Sequence, residues 1–258
     1  MGINLKVIIL AGGYGSRLSE YTDMIPKPMV EIGGKPILHH LMEIFSNYGH
    51  KDFYLALGYK SEVIVNFFKN IPNSKVINNE DLSVIDNRIL IEVNEWKVNL
   101  INTGIDSMTG GRLKRVIPLM GEESFLLTYG DGLSNINLNK LLSFHKSHKK
   151  LATISAVRPA ARFGELDIQG SVVASFKEKP QVRTGWINGG FFVMEPKFLK
   201  YLSDDTTVLE EDPLEDVSKA GELMAYKHEG FWHCMDTKRD KDLLEEFSKQ
   251  KVPPWNNR

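Results

Sequence analysis

The sequence predicts an α/β fold: a mostly parallel sheet wound with helices, plus antiparallel excursions. Three observations carry that expectation. Short β-rich apolar runs alternate with helix-period segments, the order that crossover connections produce. Several of those runs are apolar throughout, as strands covered on both faces must be. The length, 258 residues, suits one large core, so 1–258 is expected to form a single domain.

Taken in order, the first strand is Leu5–Leu10, apolar apart from Lys6. Pro36–Asn47 reads as a helix, with Pro36 in the first turn, where a missing N–H is tolerated. Asp52–Leu57 is the next strand and Ser61–Asn70 the helix that follows it. Between Ile71 and Asn102 the pattern changes to polar turns and alternating segments, such as Ile89–Val93 and Trp96–Leu100, which suits an antiparallel excursion. Helix Arg112–Met120, strand Ser124–Thr128, helix Leu138–Lys146 and strand Ala152–Val157 come next. A second excursion surrounds Arg158–Phe176, and strand Gly190–Met194 and helix Pro213–Ala220 complete the series. No repeat, low-complexity tract or linker interrupts it. Pro253-Pro254-Trp255 reads as a tail, packed or loose.

Composition narrows the partners. The 32 basic and 33 acidic residues are mixed along the chain for a formal net charge of −1, so no global field marks out nucleic acid or an anionic membrane. Any bound anion must be held by a local site. Cys234 is the single cysteine, which excludes an internal disulfide and fits a reducing compartment. The first thirty residues carry no secretory pattern, and nowhere do eighteen apolar residues run together. A soluble cytoplasmic protein is expected, with neither nucleic acid nor membrane as a partner.

The local site is expected where strand Leu5–Leu10 empties into Ala11-Gly-Gly-Tyr-Gly-Ser-Arg17, because open parallel sheets bind ligands at the carboxyl ends of their strands. Glycines let backbone N–H groups turn toward a phosphate with no side chain in the way. Neither familiar phosphate loop is satisfied. Gly13-Tyr-Gly15-Ser-Arg-Leu18 has leucine where the dinucleotide fingerprint needs its third glycine, and no Gly-Lys-Ser/Thr follows. Next comes Pro26-Lys27-Pro28. The two prolines are expected to hold the chain extended around Lys27 and so to aim its ammonium in one direction.

Leu10-Ala-Gly-Gly-Tyr-Gly-Ser-Arg-Leu18 followed by Pro26-Lys-Pro-Met-Val30 resembles the signature of sugar-1-phosphate nucleotidyltransferases. The likeness continues through Gly34-Lys-Pro-Ile-Leu38, Met108-Thr-Gly-Gly-Arg-Leu-Lys-Arg115, Thr128-Tyr-Gly-Asp-Gly132, Arg162-Phe-Gly164, Phe176-Lys-Glu-Lys-Pro180, Ile187-Asn-Gly-Gly-Phe-Phe192 and Gly230-Phe-Trp-His-Cys-Met-Asp-Thr237. It covers nearly the whole chain. The combination resembles the branch that joins CTP to glucose 1-phosphate. Ser16 departs from the usual threonine, and Pro72–Asp86 matches poorly.

That resemblance implies a Rossmann-like fold with a nucleotide-binding part at about 1–150 and a sugar-binding part at about 151–258. The implied reaction is attack of a sugar-phosphate oxygen on the α-phosphorus of CTP. A phosphate whose second pKa is about 6 is largely ionised at neutral pH, so no catalytic base is needed. The obstacle is charge: two like unit charges ~4 Å apart repel by roughly 4 kcal/mol at an effective dielectric of about 20. By resemblance Arg17 and Lys27 neutralise the triphosphate, while Leu10, Ala11, Gly12, Gly13, Gly15 and Ser16 cradle the nucleotide. Asp131 and Asp236 would hold Mg²⁺, which takes one or two protein carboxylates. Lys179 would bind the sugar phosphate, Glu178 would accept from sugar hydroxyls, and Gly164 and Asn188 would complete the sugar pocket. Ser107, Arg112 and Asn188 are the positions associated with the nucleotide and its base. An arginine only donates, so Arg112 facing the O2 and N3 acceptors of cytosine would favour it over uracil. A homo-oligomer is also implied.

Other features point less far. His145 and His148 lie three apart on a predicted helix but lack a third metal ligand nearby, so a solvated face is expected. Cys234 beside His233 lacks the other parts of a thiol enzyme and is expected to serve packing. Two other functions stay open: uridylyl or thymidylyl transfer, or transfer to another phosphorylated substrate, since phosphate machinery does not depend on the base, and a non-catalytic nucleotide-sugar sensor.

Overall fold

The computed structural model describes residues 4–159, 165–169, 171–177 and 185–257. A nine-stranded sheet runs through it. In chain order its strands are β1 (Lys6–Leu10), β2 (Asp52–Leu57), β3 (Lys75–Asn79), β4 (Arg88–Val93), β5 (Trp96–Asn102), β6 (Phe125–Tyr129), β7 (Ala152–Val157), β8 (Ile187–Met194) and β9 (Leu223–His228). Their spatial order is β9-β7-β8-β6-β1-β2-β5-β4-β3. Within this sheet only β4 and β8 run against the rest: β1 is parallel to β2 and β6, β2 to β5 and β7 to β9.

The apolar runs become buried strands because both faces are covered. Along β1, Val7 and Ile9 enter one hydrophobic cluster with Leu38, Phe45 and Phe53, while Ile8 and Leu10 enter another with Leu113, Val116 and Leu127. Each such side chain withdrawn from water contributes about 1.5–3 kcal/mol, so one polar replacement in this run is poorly tolerated. The helices Ile37–Ser46, Ser61–Asn70, Thr109–Val116 and Leu138–His148 lie close to the expected positions. The last is capped by Asn137, whose side chain accepts from the Lys140 N–H.

Strand Gly190–Met194 begins earlier, at Ile187, and is antiparallel to both neighbours. The Ile71–Asn102 segment is the expected antiparallel excursion: β3 pairs antiparallel with β4 and β4 with β5, which joins the sheet by pairing in parallel with β2. The helix expected at Arg112–Met120 starts at Thr109, and Pro118 turns its end into the 3-10 segment Ile117–Leu119. Strand β9 and helix Lys238–Ser248 were not foreseen. The second excursion is present as the antiparallel pair Glu165–Gln169 and Val172–Lys177. The tail is packed: Trp255 is buried against the rings of His40 and Phe231. Among the described residues no helix is long and apolar enough to cross a membrane.

The register sets the site. Leu10 lies beside Ala56 of β2 and Tyr129 of β6, so the three strands finish level and the loops after them leave the same edge.

Candidate active site

The glycine loop begins as a continuation of the sheet, with Ala11 N donating to Ala56 O and Tyr59 N donating to Gly12 O. Gly15, at φ 65°, turns the chain into the 3-10 segment Ser16–Leu18 that carries Arg17. Thr22 Oγ1 ties this turn down by donating to Gly15 O and Leu18 O. Pro26 is extended as expected, but Lys27 is not: Lys27–Met29 forms a 3-10 turn. A proline φ near −65° fits that turn as well as an extended chain, so the mount is still stiff.

Lys27 Nζ donates to Asp131 Oδ2 at 2.6 Å and to Asp236 Oδ1 at 2.7 Å. Arg17 reaches the other oxygen of Asp236 at 2.8 Å. Asp131 follows β6 by two residues, and Asp236 sits between the short strand Trp232–Cys234 and helix Lys238–Ser248. Burial opposes the charge on Lys27, but the two carboxylates outweigh it and hold the ammonium above the ordinary lysine range. The lysine side chain is 12% exposed and that of Arg17 73%, so Lys27 is enclosed by the cleft while Arg17 lies open to solvent. Cys234 is half-buried beside these acids rather than in a core; burial and the charges of Asp131 and Asp236 push its thiol pKa up, which keeps it neutral.

A cleft of about 730 Å³ joins these groups. Leu10, Ala11, Gly12, Gly13, Gly15, Ser16, Arg17, Lys27, Ser107, Arg112, Asp131, Asn188 and Asp236 all line it. Gly164, Glu178 and Lys179 lie outside the described residues. Lining residues not anticipated include Tyr14, Tyr129, Glu210, Trp232 and Cys234. Tyr129 stands in the Thr128–Gly132 motif and was within reach of inspection. Glu210 carries no local signal, because Glu210-Glu211-Asp212 looks like an ordinary acidic helix start.

Arg112 has a different setting from the one expected. It is 3% exposed, and its terminal nitrogens donate to Leu57 O, Gly104 O, Thr103 Oγ1, Gly12 O and Ile105 O at 2.6–3.1 Å. These donors brace the loops after β1, β2 and β5. The fit demands glycine: a Cβ at Gly12 would lie 2.3 Å from the guanidinium, and one at Gly58 2.4 Å. Burial brings the Arg112 pKa down to about 10, which leaves it charged at neutral pH. His145 is likewise buried instead of solvated. It contacts Thr153 Oγ1 and Glu195 Oε1, while His148 contacts the same Thr153, so the pair serves the packing of helix on sheet.

A glycine loop at a parallel sheet edge, facing a lysine and two acids across one cleft, is suited to holding and reacting a polyphosphate. The nucleotidyl transferase family profile matches residues 6–250, and the chain belongs to that family. Within it, the chain is 47% identical over 257 residues to the glucose-1-phosphate cytidylyltransferase of Salmonella typhi, covering 97% of this chain and 98% of that one. A probable glucose-1-phosphate cytidylyltransferase of Bacillus subtilis is 43% identical, with coverages of 93% and 94%. Among solved structures, HddC from Yersinia pseudotuberculosis superposes with a TM-score of 0.70 at 29% identity, covering 94% of this chain and 98% of that one.

Proposed function

We propose that the protein transfers CMP from CTP to α-D-glucose 1-phosphate, giving CDP-glucose and pyrophosphate. The observation that carries this is the convergence of Lys27, Asp131 and Asp236 beside the glycine loop, in a chain this similar to cytidylyltransferases. A sugar-phosphate oxygen forms a bond to the α-phosphorus as the bond from that phosphorus to the bridging oxygen of the β-phosphate breaks. The electron pair leaves on pyrophosphate, and no proton has to move.

The chain's own part is positioning and charge. Backbone N–H groups of Gly12, Gly13 and Gly15 face the β- and γ-phosphates, Arg17 follows them, and Lys27 turns from the carboxylates to the α-phosphate as the nucleotide enters. Ser107 and the carbonyl-lined wall that Arg112 braces receive the base, where a main-chain carbonyl accepts from the cytosine amine; uracil has no donor there. Lys179, Glu178, Gly164 and Asn188 bind the glucose phosphate. Members of this family commonly work with a divalent metal. Asp131 and Asp236 fit Mg²⁺: both present an oxygen to the point where Lys27 Nζ lies, and with Cys234 Sγ their ligand atoms fall within 4.8 Å of one another. When bound, the ion would supply positive charge at phosphate oxygens. The enzyme is expected to work in the cytoplasm as a homo-oligomer.

The test is to incubate the purified chain with Mg²⁺, glucose 1-phosphate and CTP, UTP, dTTP, ATP or GTP in turn, following pyrophosphate. CTP should give the fastest release. Faster release with UTP or dTTP would move the base assignment, and no release with any would favour a sensor.

A further inference from the structure

Glu210 lines the cleft without belonging to any motif that the function absorbed. Its Oε1 accepts from the Tyr129 hydroxyl and its Oε2 accepts from Thr109 Oγ1 at 2.7 Å. Tyr129 in turn accepts from Asn188 Nδ2 at 3.0 Å, and Asn188 Oδ1 accepts from the Gly190 N–H at 2.8 Å. Five residues from four parts of the chain thus form one hydrogen-bonded line along the wall of the cleft. Gly190 makes the line possible, since a Cβ there would lie 2.6 Å from the Tyr129 ring.

The chemistry gives this line a direction. Both oxygens of Glu210 accept, one from Tyr129 and one from Thr109, so the tyrosine proton points to Glu210. The tyrosine oxygen then offers a lone pair to Asn188, which must answer with N–H. Its carbonyl is thereby committed to Gly190, and its second N–H remains for a ligand.

We propose that Glu210 is a positioning residue which, acting through Tyr129, fixes the amide of Asn188 so that it presents an N–H donor to the glucose 1-phosphate side of the cleft. The assignment of the substrate rests on the function proposed above; the orientation of the amide does not. Glu210→Gln keeps the shape but introduces a donor, which lets the tyrosine proton reverse toward Asn188 Nδ2 and sets the amide against its bond to the Gly190 N–H. Tyr129→Phe removes the relay.

The experiment has two arms. The first records the side-chain amide signals of ¹⁵N-labelled protein without ligand, with Asn188 assigned by its loss in Asn188→Ala. Glu210→Gln and Tyr129→Phe should each move that signal, and an unmoved signal in folded Glu210→Gln overturns the proposal. The second measures kinetics with CTP and glucose 1-phosphate. Glu210→Gln should raise the KM for glucose 1-phosphate by about tenfold, the size of one lost hydrogen bond, and change the KM for CTP little. In an Asn188→Ala background the same substitution should add nothing, whereas a full tenfold further effect would mean that Glu210 acts by another route. Absence of turnover in the parent enzyme counts against the proposed reaction and leaves the first arm intact.

Discussion

Lys27 Nζ and Asp236 Oδ1 lie 2.7 Å apart although 209 residues separate them in the chain. The contact closes the cleft from opposite ends of the sequence: a proline-mounted lysine after the glycine loop meets an acid that precedes the last long helix. Without ligand, the lysine is the cation that keeps two converging carboxylates compatible.

Replacing that cation should therefore reduce both catalysis and stability. Lys27→Met is expected to lower turnover by about 10²–10³, the usual loss on removing a charge-stabilising donor. It should also lower the melting temperature without metal, because Asp131 and Asp236 then repel. Steady-state kinetics and thermal unfolding check this, and near-full activity refutes the assigned role.

Metal affinity should respond with opposite signs at neighbouring residues. Asp131→Asn and Asp236→Asn remove a ligand charge and should weaken Mn²⁺ binding. Lys27→Met removes a competitor for the same oxygens and should strengthen it. Paramagnetic resonance of free Mn²⁺ reads all three; a weaker affinity in Lys27→Met would show that the lysine does not compete for those oxygens.

Arg112 should not tolerate lysine. An ammonium cannot reach the five acceptors that the guanidinium holds, so Arg112→Lys leaves buried carbonyls unpaired and is expected to lower stability by about 2–4 kcal/mol. Gly12→Ala displaces the same guanidinium sterically. Both should raise the KM for CTP, and denaturant unfolding with kinetics separates the two effects.

His50 gives the fold a pH dependence unconnected with the cleft. Its Nδ1 accepts from Leu5 N at 3.1 Å, and its Nε2 has no partner, so protonation in place would break the bond that starts β1. Burial lowers its pKa from 6.5 to about 4. The unfolded chain therefore binds the proton first, and stability present above pH 6.5 should decline as the pH falls toward about 4, by on the order of 3 kcal/mol at most. His50→Gln should flatten that part of the curve, and an unchanged slope between those pH values would assign it to other groups.

The sequence disclosed chemistry better than geometry. Lys27, Asp131 and Asp236, which the fold brings together, each stand inside a short motif that resembles one of the family's, and for Asp236 that resemblance is the signal, since a lone aspartate before a helix reads as a turn. Arg112 was legible as a site residue but not in its use, since nothing local says that its donors would meet carbonyls from three loops. Tyr129 and Glu210 meet only when the turn before helix Asp212–Lys219 packs against the end of β6, so no spacing announces them. The direction of Ile187–Met194 was hidden for a similar reason: an apolar run reads the same whichever way it enters a sheet. Helix Lys238–Ser248 buries only Leu244, so it lacks a strong apolar stripe, and its one clear signal is the capping box of Thr237 and Asp240.

The most direct measurement is a crystal structure of the protein with CTP and Mg²⁺. The triphosphate should lie along the loop from Ala11 to Arg17, with Lys27 Nζ moved from the carboxylates onto a phosphate oxygen and Asp131 and Asp236 on the ion. A nucleotide bound elsewhere, or phosphates facing solvent while Lys27 still joins Asp131 to Asp236, would contradict the proposed catalytic site.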